Sequence, residues 1–66
     1  MSDLKNTIKE HRSAANLTQA ELAKLAGVSR KTINTIENGV FCPSTVLALR
    51  ISQVLDKKVE DLFQLR

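Results

Sequence analysis

Apolar residues in this chain recur at helical spacing in short stretches, each opened by a capping signal. Leu4, Ile8, His11 and Ala15 share one face, which predicts a first helix from about Ser2 or Asp3 to Ala15. Asn16 ends it, because Asn tolerates the left-handed backbone found at helix ends. In Leu17-Thr18-Gln19-Ala20-Glu21-Leu22, Thr18 and Glu21 have the spacing of a capping box, and Leu17 and Leu22 that of a hydrophobic staple. A second helix therefore starts here and runs to Leu25 or Ala26, where Gly27 breaks it. Ser29 caps a third helix with Val28 and Ile33 as its staple; Ile33 and Ile36 face inward, and Asn38-Gly39 stops it. Val40-Phe41-Cys42-Pro43 is a loop. Ser44 opens a fourth helix to about Leu55, with Leu47, Ala48, Ile51 and Leu55 inward. A fifth runs from Glu60 to about Leu65 and carries Leu62 and Phe63.

No run of alternating β-branched and aromatic residues predicts a strand, so the pattern describes an all-α fold. The second and third predicted helices, joined by Ala26-Gly27-Val28-Ser29, form a helix-turn-helix. At 66 residues and 7.3 kDa the chain has room for one domain and one small core. Such a domain buries only about 60% of its unfolded surface. One cysteine and one histidine exclude a disulfide framework and a structural zinc site. No apolar run is long enough for a membrane span or an export signal, which with the lone cysteine points to the cytoplasm. The net charge of +3 permits an anionic partner without requiring one. No Ser–His–acid, Cys–His or phosphate-loop arrangement has credible spacing, so an enzyme is not expected, and no cofactor or metal is implied.

Leu17-Thr18-Gln19-Ala20-Glu21-Leu22-Ala23, then Gly27-Val28-Ser29, then Thr32-Ile33-Asn34-Thr35-Ile36-Glu37-Asn38-Gly39 closely resemble the Cro-type, lambda-repressor-like helix-turn-helix family. Pro43-Ser44, Leu55 and Glu60-Asp61-Leu62-Phe63 resemble its later helices, so the likeness covers nearly all of the chain. It implies one compact five-helix domain over residues 1–66, with the motif at about 18–38. Such a domain binds duplex DNA, typically as a dimer, with the second motif helix in the major groove. The likeness further implies that Arg12 pairs with Glu37 and that Gln19 contacts phosphate at the start of the first motif helix, where free N–H groups and the helix dipole favour an anion. Three features depart from the family. His11 stands for a usual Leu, Thr45 for a large apolar residue, and Val40-Phe41-Cys42 for a loop that is often basic.

With the motif in register, Ser29, Arg30, Lys31, Asn34 and Thr35 are the expected base-reading residues, and Thr18, Gln19 and Asn38 the phosphate anchors. Arg suits guanine, Asn suits adenine, and a Thr methyl suits the thymine methyl. Lys31, a point charge on a flexible stem, suits phosphate better. His11 is expected to be a satisfied core histidine and Cys42 a small semi-buried hydrophobe. Val40, Phe41, Val46 and Leu49 are apolar residues left over from the main stripes, either packed under the loop or forming a dimer contact. The reading is a homodimeric regulator of transcription, a repressor or autoregulator of a prokaryote or phage, on a pseudo-palindromic operator. The alternative is a protein-interaction module on the same fold, such as an antitoxin gripping a partner protein.

Overall fold

The computed structural model describes residues 3–66. Their order is β1 (Leu4–Asn6), α1 (Ile8–Ala14), α2 (Gln19–Ala26), α3 (Arg30–Glu37), α4 (Thr45–Leu55), α5 (Val59–Leu62) and β2 (Phe63–Leu65). The fold is five helices about one core, with a small sheet added. That core is Ile8, Leu22, Ala23, Ala26, Ile33, Ile36, Leu47, Ile51, Leu55, Leu62 and Phe63. Leu17 and Val28, the outer halves of the two predicted staples, pack against it half-buried.

Helix starts follow the caps. The Thr18 hydroxyl accepts from the Glu21 N–H at 3.0 Å, and Glu21 accepts from the Thr18 N–H at 2.8 Å. Ser29 and Ser44 accept from the N–H of Thr32 and Leu47 at 3.2 and 3.1 Å. Each removes an unpaired donor from a first turn, worth about 1 kcal/mol. Gly27 ends α2 at φ +78, a left-handed conformation that a side chain would strain. Its N–H and that of Val28 bond back to Lys24 and Ala23, turning the chain sharply into α3.

The Glu21 carboxyl is held below the ordinary glutamate value, chiefly because the Thr18 backbone N–H donates to it, with the Thr18 hydroxyl second. The stability this confers is complete above the unfolded value and disappears as pH falls through the lowered folded one. The melting-temperature advantage of wild type over Glu21→Gln, which keeps the hydrogen bond but cannot ionise, should therefore shrink between about pH 7 and about pH 3. An advantage that does not change with pH would contradict this.

Both chain ends differ from expectation. Residues 4–6 are not helical but pair antiparallel with 63–65, in the register Leu4–Leu65, Lys5–Gln64 and Asn6–Phe63. The first helix thus begins at Ile8, and the expected cap at Ser2 lies outside the described residues. The fifth helix is cut to four residues, Val59–Leu62, because the chain extends from Phe63 to meet β1. Pairing wins because each strand satisfies the other's backbone. The Thr7 N–H donates to the Leu62 carbonyl at 2.9 Å and the Arg66 N–H to the Asp3 carbonyl at 2.8 Å. Asn6 then does two jobs. Its side-chain oxygen accepts from the Ile8 N–H at 3.2 Å, starting α1, and its Nδ2 donates to the Ile36 carbonyl at 2.9 Å, near the end of α3. Ala15, expected inward, is exposed because α1 ends before it.

His11 is half-buried; its Nδ1 donates to the Thr7 carbonyl at 2.9 Å. Cys42 is exposed, not semi-buried, because its loop rides over the surface.

Candidate nucleic-acid interface

Ile33 and Ile36 anchor α3 to the core, and this fixes what the helix presents to solvent. At about 100° per residue, Lys31 falls opposite those two isoleucines. Asn34 lies on one flank of Lys31, towards α2, and Thr35 on the other, towards the loop. Arg30 sits in the first turn beside Asn34's row. Ser29, Arg30 and Lys31 are exposed; Asn34 and Thr35 are half-buried at the edges of the face. The five residues assigned to base reading are thus the N-terminal end and outer surface of one helix, with α2 behind it.

A polar chain runs beneath that face. Arg12 Nε donates to Glu37 Oε2 at 2.7 Å, and Arg12 Nη2 to Glu37 Oε1 at 3.2 Å, a two-pronged ion pair joining α1 to the end of α3. The side chains are 12% and 4% exposed. Arg12 Nη1 also donates to the Leu17 carbonyl at 2.9 Å, tying down the turn before α2. Glu37 Oε1 accepts again from Gln19 Nε2 at 3.1 Å. The Gln19 oxygen accepts from Asn34 Nδ2 at 3.5 Å, and the Asn34 oxygen from Asn38 Nδ2 at 3.2 Å. Among the described residues no buried side-chain nitrogen or oxygen lacks a partner.

This chain brings together residues with different expected tasks. Gln19 and Asn38 flank Asn34 and orient its amide from both sides. The internal bonds use one hydrogen and one lone pair of that amide. An amide has two of each, so one donor and one acceptor remain for a base edge. The links from Gln19 to Glu37 and from Asn6 to Ile36 were not legible in the sequence, since they join residues 18 and 30 positions apart with no local signal.

Thr18 is exposed at the start of α2, with its hydroxyl and N–H engaged with Glu21. The four leftover apolar residues are all exposed but separate into two places. Val40 and Phe41 share a cleft with α3, lined also by Ser29, Lys31, Thr32 and Thr35. Val46 and Leu49 lie three apart on the outer side of α4, away from the buried Leu47, Ile51 and Leu55. Among the described residues there is no group of His, Cys, Asp or Glu that could hold a metal, and no helix is long and apolar enough to cross a membrane.

A capped helix carrying exposed cations and amides, set across a second helix whose N-terminus opens on the same side, defines a helix-turn-helix DNA-binding domain. The helix-turn-helix family model matches residues 8–62. An uncharacterized HTH-type transcriptional regulator of Methanocaldococcus jannaschii is 48% identical over 60 residues, 91% of each chain. Among solved structures, the restriction-modification controller protein C.AhdI of Aeromonas hydrophila is 31% identical with a TM-score of 0.77, over 82% of both chains. The P22 c2 repressor, solved in complex with a synthetic operator, is 28% identical with a TM-score of 0.78, over 80% of both. The chain belongs to the Cro/C1-type helix-turn-helix family of transcriptional regulators, a DNA-binding and non-enzymatic family.

Proposed function

We propose that this protein is a sequence-specific, homodimeric repressor or autoregulator acting on duplex DNA in the cytoplasm of a prokaryote or in a phage-infected cell. The observation that carries the reading is the outward face of α3, where two exposed cations and a pre-oriented amide stand side by side on a helix fixed to the core. Arg30 and Lys31 supply donors for guanine O6 and N7, Asn34 supplies the donor–acceptor pair for adenine, and Thr35 offers a methyl for thymine. Ser29, at the tip, reaches the same edges. Gln19, Asn38 and the Thr18 hydroxyl hold phosphates on either side and fix the register without reading sequence.

The dimer is assigned to the fourth and fifth helices, with Val46 and Leu49 at its centre. Those side chains are 59% and 51% exposed, and covering them would add to a core that is small for an independent domain. A two-fold dimer would place its recognition helices roughly 34–36 Å apart, one turn of duplex.

Selection of bound sites from a random duplex pool tests both parts. The enriched sequences should be inverted repeats with half-site centres about 10 base pairs apart. On the selected site, Arg30→Ala and Asn34→Ala should each lose about 1–3 kcal/mol while keeping most of their affinity for a scrambled duplex. Gln19→Ala should weaken both duplexes, and the selected site more, because Gln19 also orients Asn34. It should leave the slope of log affinity against log salt nearly unchanged, because a neutral amide on a phosphate displaces no counterion. Enriched sites without symmetry would sink the dimer. An unchanged operator-to-scramble ratio in the Arg30 and Asn34 variants would remove the base-reading assignment.

A further inference from the structure

The loop after the recognition helix carries exposed apolar side chains, and the structure gives them a place. Val40 and Phe41 close an open cleft of about 350 Å³ against α3. Both are held there by the backbone: the Val40 and Phe41 N–H groups donate to the same Thr35 carbonyl at 2.9 and 3.2 Å. The opposite wall is Thr32 and Thr35, with Ser29 and Lys31 at the rim. These hydroxyls are engaged internally. Thr35 Oγ1 donates to the Thr32 carbonyl at 3.0 Å, and Thr32 Oγ1 lies 2.9 Å from Ser29 Oγ. With the oxygens occupied, methyl groups of two threonines, an isopropyl group and one aromatic ring remain as the lining.

We propose that this cleft is a specificity-determining subsite that takes thymine 5-methyl groups at the edge of the half-site, with Phe41 as its principal contact and Val40 as its wall. The inference rests on the reading above that α3 enters the major groove. Three features favour DNA as the occupant over a second copy of the chain. The cleft is continuous with the outward face of α3, since Ser29, Lys31 and Thr35 belong to both. Its rim carries the Lys31 ammonium beside the exposed Arg30, which would draw a phosphate-flanked base in and repel the same rim of another copy. Finally, the thymine methyl is the apolar group that the major groove displays, and an apolar side chain distinguishes it from the bare edge of cytosine.

The test uses the full chain and the duplex enriched from the random pool, synthesised once with thymine and once with deoxyuridine throughout, which removes every 5-methyl and leaves base pairing intact. Wild type should prefer the thymine duplex by about four-fold for each methyl the cleft buries, the transfer value of one such group. Phe41→Ala should erase most of that preference and Phe41→Leu should restore part of it. Leu65→Ala, at an exposed residue away from α3, should leave the preference as in wild type. Equal affinity of wild type for the two duplexes overturns the proposal. So does a Phe41→Ala variant that keeps the full preference; if that variant also sediments as a monomer, the cleft is a contact between copies. Failure of wild type to enrich any sequence overturns the groove reading itself, and this subsite with it.

Discussion

Arg12→Ala is expected to lower the stability of the fold by about 3–5 kcal/mol, the cost of stranding one member of a buried ion pair. Glu37 is 4% exposed, so its carboxylate relies on the partners the protein provides. Arg12 supplies two of its hydrogen bonds and the positive charge that balances it; Gln19 supplies a third bond, neutral and longer than that from Nε. Removing the guanidinium leaves a charge that water reaches poorly, and it also frees the Leu17 carbonyl. At about 0.05–0.15 kcal/mol per residue, a chain of this length has only about 3–10 kcal/mol in all, so this loss is about a third of it or more. Lys9→Ala, on the exposed side of the same helix, should stay within about 0.5 kcal/mol of wild type. Urea midpoints of the two variants decide the matter, and equal midpoints would falsify the claim. A second comparison separates stranding from reduced packing. Arg12→Met combined with Glu37→Leu should recover much of the stability, because no charge is then buried without a partner. The single variant should also bind the selected site more weakly, since Glu37 positions Gln19 and Gln19 orients Asn34.

What was legible in the sequence, and what was not, divides along the range of the interactions. Thr18, Ser29 and Ser44 marked three helix starts because a cap and the N–H groups it satisfies lie within three residues of one another. Gly27 marked the turn for an equally local reason, its positive φ. Ile33 and Ile36 fixed the inward side of α3, and hence which residues face out. The strands were illegible because each is three residues long, too short to show alternation. Leu4-Lys5-Asn6 also continues the apolar spacing of α1, so a helical reading was available until Phe63–Leu65 arrived beside it. The helix was the better local answer; the paired backbone was the better global one. In the candidate interface, the residue types followed from the motif, but their coupling did not. Nothing near Gln19 in sequence indicates that its amide would be shared between Glu37 and Asn34. Cys42 misled for a related reason. A small apolar side chain before a proline suits a covered loop, yet the loop is fastened by two backbone bonds to Thr35 and needs no buried side chain to hold it.

Phe63→Ala should be nearly as damaging as the loss of Arg12, at about 3–5 kcal/mol for an emptied aromatic site in a core. The residue stands where α5 gives way to β2, and it is 8% exposed. It belongs to the core cluster while its backbone pairs with Asn6. Asn6 in turn holds both the start of α1 and the Ile36 carbonyl near the end of the recognition helix. A cavity at Phe63 therefore weakens the packing that keeps the two chain ends together and, through Asn6, one fixture of α3. With 11 core residues among those described, few neighbours are able to collapse into the space. Leu65 lies two positions further along the same strand and is 80% exposed, so Leu65→Ala should change stability by no more than about 0.5 kcal/mol. Phe63→Leu should fall between, keeping most of the volume. The comparison needs only urea denaturation followed by helical circular dichroism on the three variants. If Phe63→Ala and Leu65→Ala unfold at the same midpoint, the sheet is a loose appendage of the helices and does not brace them. If Phe63→Ala alone fails, the short strand pair is part of what holds the recognition helix in place, although no helix-turn-helix motif requires it.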